Sequence, residues 1–135
     1  MIIDANVAVK WVINHPDSER ARSLPRIRPV AAPSSLMLEA AHALTREKRE
    51  RRLKPDQVRA GYQLIVSALR FVDVAELVGD ALELSLALHA NVYDCTYLAL
   101  AMREGDVLVT ADARFLAAVR KSKPHARYIR ALAED

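Results

Sequence analysis

The chain is poor in several residue types, and each scarcity closes off a class of function. It has a single cysteine, Cys95, so no internal disulfide can form and no zinc cluster can rest on thiolates. A lone thiol suits a reducing compartment, and a cytoplasmic location is expected. Only three glycines occur, Gly61, Gly79 and Gly105. None falls in a G-x-x-x-x-G-K or G-x-G-x-x-G pattern, so no phosphate-cradling loop and no nucleotide cofactor are expected. Aromatic residues make up 5% of the chain, too few for a platform that stacks single-stranded bases. The histidines His15, His42, His89 and His125 show no metal-ligand spacing and read as surface or capping residues. No apolar run approaches the roughly 18 residues of a membrane span. Met1-Ile2-Ile3-Asp4 lacks the basic region and long apolar stretch of a signal peptide.

What remains is a chain of 135 residues, 52% of them hydrophobic, with a formal charge of +3. That length suits one domain, and that apolar fraction supports a packed core rather than disorder. The mild positive charge is compatible with a polyanionic partner. Two basic stretches stand out: Arg46, Lys48, Arg49, Arg51, Arg52 and Lys54, diluted by Glu47 and Glu50, and Arg120, Lys121 and Lys123, with Arg127 and Arg130 beyond. Either could guide a nucleic-acid backbone or serve as a solvated helix end.

The pattern alternates strands with helices. Met1–Ile3 reads as a short strand, Ala5–Ile13 as a helix, and a second short helix follows Pro16. Arg28–Ala32 reads as a strand stopped by Pro33, and Ser34 or Ser35 caps a long helix to about Arg52. Pro55 opens a helix to Arg70, in which Val58, Tyr62, Leu64, Ile65 and Leu69 recur at helical spacing. Phe71–Val74 is a strand, followed by helices over Ala75–His89 and Tyr93–Glu104, the second ended by Gly105. Asp106–Thr110 is the clearest strand, Ala113–Lys121 a helix, and Arg127–Leu132 a last edge strand. Such alternation predicts one α/β domain over residues 1–135, with a mostly parallel sheet flanked by helices. Trp11, among Val7, Val9 and Val12, reads as core or interface.

Sites in open α/β sheets form beyond the carboxyl ends of the strands. Asp4 leaves the first strand at that end, and Asp112 lies two residues past Val109-Thr110 at the same end of another. Asp106 begins that second strand, which at ~3.3 Å per residue puts it roughly 15–20 Å from Asp112 and excludes it. Asp94 opens a helix whose next turn, Tyr97, Leu98 and Ala101, is apolar, so its carboxylate needs a partner. Glu39 sits one turn into its helix within Leu36-Met37-Leu38-Glu39-Ala40-Ala41. Each acid also has an ordinary explanation. Asp4, Asp94 and Asp112 precede helices, where Asp is a favoured cap. Glu39 shares a helical stripe with His42 and Arg46 that could be solvated. Four carboxylates meeting at one sheet edge would repel one another, and a hard divalent cation such as Mg²⁺ or Mn²⁺ would relieve that cost.

The residues around these acids resemble a known family. Ile3-Asp4-Ala5-Asn6-Val7-Ala8-Val9-Lys10-Trp11, then Ala32-Pro33-Ser34 with Glu39 and Ala43-Leu44, then Tyr93-Asp94-Cys95-Thr96-Tyr97-Leu98-Ala99-Leu100-Ala101, and finally Leu108-Val109-Thr110-Ala111-Asp112-Ala113-Arg114-Phe115 are similar to the four acidic motifs of PIN-domain ribonucleases. The resemblance covers almost the whole chain and is to the VapC-type toxins of bacterial type II toxin–antitoxin pairs. It departs at Cys95, where alanine is more usual and a small buried side chain is expected.

The resemblance implies a PIN-like three-layer α/β domain and a metal-dependent endoribonuclease. Asp4, Glu39, Asp94 and Asp112 would be the acidic quartet holding Mg²⁺ or Mn²⁺, with Asp4 and Asp94 as anchors. Asn6 and Thr110 match flanking polar positions that orient a carboxylate or a metal-bound water. The reaction would be water-driven cleavage of RNA to 5′-phosphate and 3′-hydroxyl ends, on transfer or ribosomal RNA, with no covalent protein intermediate. An antitoxin protein and a homodimer are the expected partners. Three other readings compete. A signalling receiver domain would want an acidic pair after its first strand, where this chain has Ile2-Ile3 before Asp4. A haloacid-dehalogenase-like phosphatase would want Asp-x-Asp, where this chain has Asp4-Ala5-Asn6. A non-catalytic interaction module needs no turnover at all.

Overall fold

The structure, a computed structural model, describes residues 1–50 and 52–134. Arg51 of the first basic stretch and Asp135 lie outside the described residues. Five strands form one sheet: β1 (Ile2–Ile3), β2 (Ala31–Pro33), β3 (Arg70–Val72), β4 (Leu108–Thr110) and β5 (Ile129–Ala131). Their order is β3-β2-β1-β4-β5, and every pairing is parallel. Parallel neighbours need crossover connections, and helices supply them. These are α1 (Ala5–Val9), α2 (Ser18–Ile27), α3 (Leu36–Arg49), α4 (Pro55–Ala68), α5 (Val78–Leu88), α6 (Val92–Glu104), α7 (Ala113–Arg120) and α8 (Lys123–Ala126). Helix α3 packs on α1 and α4, α5 packs on α6, and α6 lies against β1, β2 and β4. The result is the expected three-layer α/β arrangement.

The three central strands, β1, β2 and β4, are buried throughout, while β3 and β5 at the edges are partly exposed. Ile2, Ile3, Ala32 and Val109 have no exposed surface, and Leu108 has 1%. Continuous apolar runs of this kind are what a sheet covered on both sides requires. The central strand β1 has β2 on one side, through Ile2 and Ala31, and β4 on the other, through Ile2–Leu108 and Ile3–Val109. The chain therefore winds outward from β1 in both directions. That is a topological switch point, where a crevice opens beyond the carboxyl ends of the two diverging strands.

Several boundaries differ from the sequence expectation. The first helix ends at Val9 and continues as turns rather than running to Ile13. Pro33 does not stop β2 but is its last residue. The Ala31 N–H donates to Met1 O at 2.9 Å, so alternate residues of β2 present their N–H groups to β1. Pro33 thus forfeits one bond at the very end of the strand, where its loss matters least. Ser35 holds the N-cap position of α3 without a side-chain cap bond, while Ser34 Oγ accepts the Val74 N–H at 2.9 Å. β3 begins at Arg70 rather than Phe71 and gives way to a 3₁₀ turn over Val74–Glu76 before α5. The short helix α8 was not anticipated. Gly105 ends α6 at φ 62°, as expected of a left-handed cap. Trp11 is core, and its indole N–H donates to Ala21 O at 2.8 Å. Cys95 is fully buried.

Candidate metal centre

Asp4 leaves β1 and caps α1. Its Oδ1 accepts the Val7 N–H at 2.9 Å, and its Oδ2 accepts the Thr110 hydroxyl at 2.5 Å. One oxygen is thereby oriented by α1 and the other by β4. Thr110 is the last residue of β4 and 1% exposed, and its Oγ also accepts the Asp112 N–H at 3.0 Å. One hydroxyl thus ties together the two strand-end acids. Asp112 in turn caps α7, with Oδ1 accepting from the Arg114 and Phe115 N–H groups at 3.0 and 3.1 Å. The capping explanation is correct for these two acids, yet in each the cap uses only Oδ1.

For Asp94 the capping explanation fails. Asn91 caps α6 through the Tyr93 N–H at 2.7 Å, and Asp94 stands inside the first turn. Its carboxylate has no hydrogen-bond partner among the described residues, which is unusual for a half-buried charge. Glu39 is half-buried, and its Oε1 is buried without a partner of good geometry, as is the Tyr97 hydroxyl that faces it. The Glu39 carboxylate is therefore turned inward from α3 rather than lying along a solvated stripe.

The electrostatics show which acids meet. Burial raises the Asp4 carboxyl above its ordinary value, opposed by Thr110, the Val7 N–H and Lys10, and Asp112 pushes it further up. Burial raises Asp94 to about 6, helped by repulsion from Asp112 and Asp4. Burial raises Glu39 to about 7, with Tyr97 opposing and Asp94 and Asp4 adding repulsion. Asp4 and Asp94 thus both repel Glu39, and Asp112 repels both Asp4 and Asp94. Asp94 and Asp112 also share the wall of a cleft of about 380 Å³ with His89, Asn91, Arg114 and Phe115.

Asn6 is exposed, and its side chain holds none of these carboxylates. Asp106 is at the other end of β4, as expected, bound to the Met1 amine at 2.7 Å and to Arg28 at 2.8 Å. Among the described residues, no three Asp, Glu, His or Cys side chains are drawn tightly enough to form a closed cage for an ion. The acids form an open arrangement instead. It fits a hard divalent cation on two counts: the donor set is all carboxylate oxygen, and one of those oxygens, Glu39 Oε1, is buried and unbonded.

Sequence assigns Tyr97 and Arg114 no role of their own, and His89, read as a surface or capping residue, is the exposed C-cap of α5. For Tyr97 the signal was present, since it lies one turn beyond Asp94 on the same core-facing edge. The first basic stretch is partly self-neutralised, because Arg52 is bound by Glu47 and Glu50.

Fold and site define a parallel α/β domain with an acidic cleft at the switch point of its sheet. Residues 1–121 match the PIN domain family, and the chain belongs to it. PIN domains are nucleases that generally use divalent metal ions. No curated protein matches the sequence significantly. Among solved structures, PAE2754 from Pyrobaculum aerophilum is similar at 20% identity and a TM-score of 0.70, over 98% of this chain and 90% of that one. A toxin–antitoxin complex from Klebsiella pneumoniae is similar at 14% identity and 0.64, over 86% and 89%. VapBC2 from Rickettsia felis, bound to a DNA fragment from their promoter, is similar at 18% and 0.64, over 96% of each chain. At these identities the likeness is one of fold.

Proposed function

We propose that the protein is an endoribonuclease dependent on Mg²⁺ or Mn²⁺ and is the toxin of a cytoplasmic toxin–antitoxin pair, with residues 1–135 acting as one unit. The observation that carries this reading is the convergence of Asp4, Asp94 and Asp112 at the β1/β4 switch point, with Glu39 turned in beside them. Asp4 and Asp94 would hold the ion, and Glu39 and Asp112 would complete its shell directly or through water. When bound, the ion supplies Lewis acidity and an activated water for attack on the scissile phosphorus. Thr110 and Val7 fix the orientation of Asp4, so the carboxylate is set before substrate arrives. The Asp112 cap does the same for that acid.

The strand order disfavours the receiver alternative, since flavodoxin-like receivers run 2-1-3-4-5. Protein partners are supported by apolar side chains left in solvent. Val78, Leu82 and Leu86 recur along α5, and Leu38 and Tyr93 are exposed as well. An antitoxin and a second copy of the chain are the partners expected of such a surface in a toxin–antitoxin protein.

The test is incubation of purified protein with Mg²⁺ and a structured RNA, with products mapped at their ends. Cleavage to 5′-phosphate and 3′-hydroxyl ends is expected. Asp4→Ala and Asp94→Asn should each lower the rate by at least about 100-fold, a few kcal/mol of barrier. Unchanged cleavage in either variant sinks the assignment.

A further inference from the structure

The acidic cleft does not stop at Asp112. A second hollow of about 550 Å³ opens beside it, and the two share His89, Arg114 and Ala118. No acid lines the second hollow; its polar wall is His89, Arg114, Lys121 and Ser122. The sign of the charge therefore inverts across Arg114. Arg52, Arg70, Arg103 and Arg120 are each bound to a carboxylate, whereas Arg114 and Lys121 form no ion pair among the described residues. The Arg114 N–H donates to Asp112, so the origin of its side chain is fixed relative to the acid cluster.

His89 adds an independent observation. It ends α5 at φ 54° and ψ 40°, the single non-glycine at positive φ among the described residues. Gly105 fills the equivalent position at the end of α6. A glycine at residue 89 would relieve the strain, yet a cationisable ring stands there, on the ridge between the two hollows. Backbone strain retained at such a place points to a role in binding.

We propose that this second hollow is a subsite for a backbone phosphate of the RNA strand, next to the bond lying over the acidic cleft. The proposal rests on the nuclease reading above. A cleft of carboxylates repels a phosphodiester chain, and adjacent cations offset that repulsion while setting the strand's register. Arg114 suits the task because its planar fork can meet two phosphate oxygens, and Lys121 adds a mobile point charge.

The experiment measures binding of a labelled RNA hairpin by fluorescence anisotropy in an Asp94→Asn background, and cleavage in the wild-type background. Arg114→Gln, Lys121→Gln and His89→Gly are compared with Arg59→Gln, a charge removal at the exposed start of α4. The two cation removals should weaken binding about 10- to 150-fold, the range of one charge-assisted hydrogen bond. Each should also flatten the slope of log K against log salt by roughly 0.7, the share of a single neutralised phosphate. In cleavage they should raise KM and leave kcat within about 2-fold, the signature of uniform binding. His89→Gly should weaken binding while holding or raising the melting temperature, which a merely structural role would not do. Arg59→Gln should change none of these. If the wild type cleaves RNA and all three variants behave as Arg59→Gln does, the subsite is wrong and the nuclease reading stands. If the wild type neither binds nor cleaves RNA with Mg²⁺ or Mn²⁺ present, both fall.

Discussion

Glu39 shows what burial beside other acids does to a carboxyl group. Folded, it keeps its proton to about pH 7, against an ordinary value of 4.5. Folding therefore takes up a proton between those values, and stability falls as pH climbs through that window. Glu39→Gln should raise the melting temperature at pH 8 in EDTA, by on the order of 1–3 kcal/mol of stability, and change little at pH 5. Adding Mg²⁺ should stabilise the wild type more than the variant, and differential scanning calorimetry reads both effects. Tyr97 is the natural companion test. Its hydroxyl and Glu39 Oε1 are both buried and poorly bonded. Tyr97→Phe should alter stability by less than about 1 kcal/mol, because no well-made bond is removed. It should weaken Mn²⁺ binding several-fold by calorimetric titration, and the effect should vanish in a Glu39→Gln background if Tyr97 acts through that carboxylate. Asp106 has the opposite sign. Partial burial pushes its carboxyl up, but the Met1 amine, the Val107 N–H and Arg28 together bring it down to about 2 from 3.8. Its contribution is present above pH 3.8 and is lost as pH falls toward 2. Asp106→Asn should cost about 1–2 kcal/mol in urea unfolding at pH 7, a gap that closes near pH 2.

At the scale of elements, helix positions read more easily than their edges. α4 carries strong helical periodicity, and both α4 and α6 start and stop within two residues of expectation. The Pro55 start of α4 and the Gly105 stop of α6 are fixed by backbone chemistry that the sequence displays directly. β2 and β3 were misplaced by one to three residues because their limits depend on which neighbour each N–H meets, and pairing is non-local. The capping alternative for Asp94 fails for a related reason: Asn91, three residues earlier, takes the cap of that helix. The packing of α4 carries its own prediction. A methyl group at Gly61 would approach Val12 Cγ1 to 2.5 Å. Gly61→Ala would gain about 1 kcal/mol of helix propensity, but overpacking against a β-branched side chain costs typically 1–3 kcal/mol. A net loss of about 1 kcal/mol is expected in chemical denaturation, and Gly79→Ala, with nothing within 4 Å, should be neutral or stabilising.

For the whole molecule, the order of acids along the chain was legible, and the strand order was not. Asp4 and Asp112 could be placed at one sheet edge, and Asp106 at the other, because strand direction follows from the alternation with helices. Which strands are neighbours depends on packing, and strands of two or three residues carry too few side chains to encode it locally. The position of Glu39 was legible only as half of an ambiguity, since a helical stripe does not say which way it faces. The structure resolves that ambiguity by giving the carboxylate a buried, unbonded oxygen.

The ladder between β1 and β4 consists of two residue pairs, tied at its amino end by Met1 to Asp106 and at its carboxyl end by Thr110 to Asp4. So short a ladder is weakly specified by its own hydrogen bonds, but the two ties index it. A slip of one residue would part both ties at once and carry Asp4 out of reach of Thr110. Misalignment and loss of the proposed metal centre are therefore the same event. On the nuclease reading proposed above, a form with these strands out of phase would be inert, and activity would require the centre of the sheet to be complete.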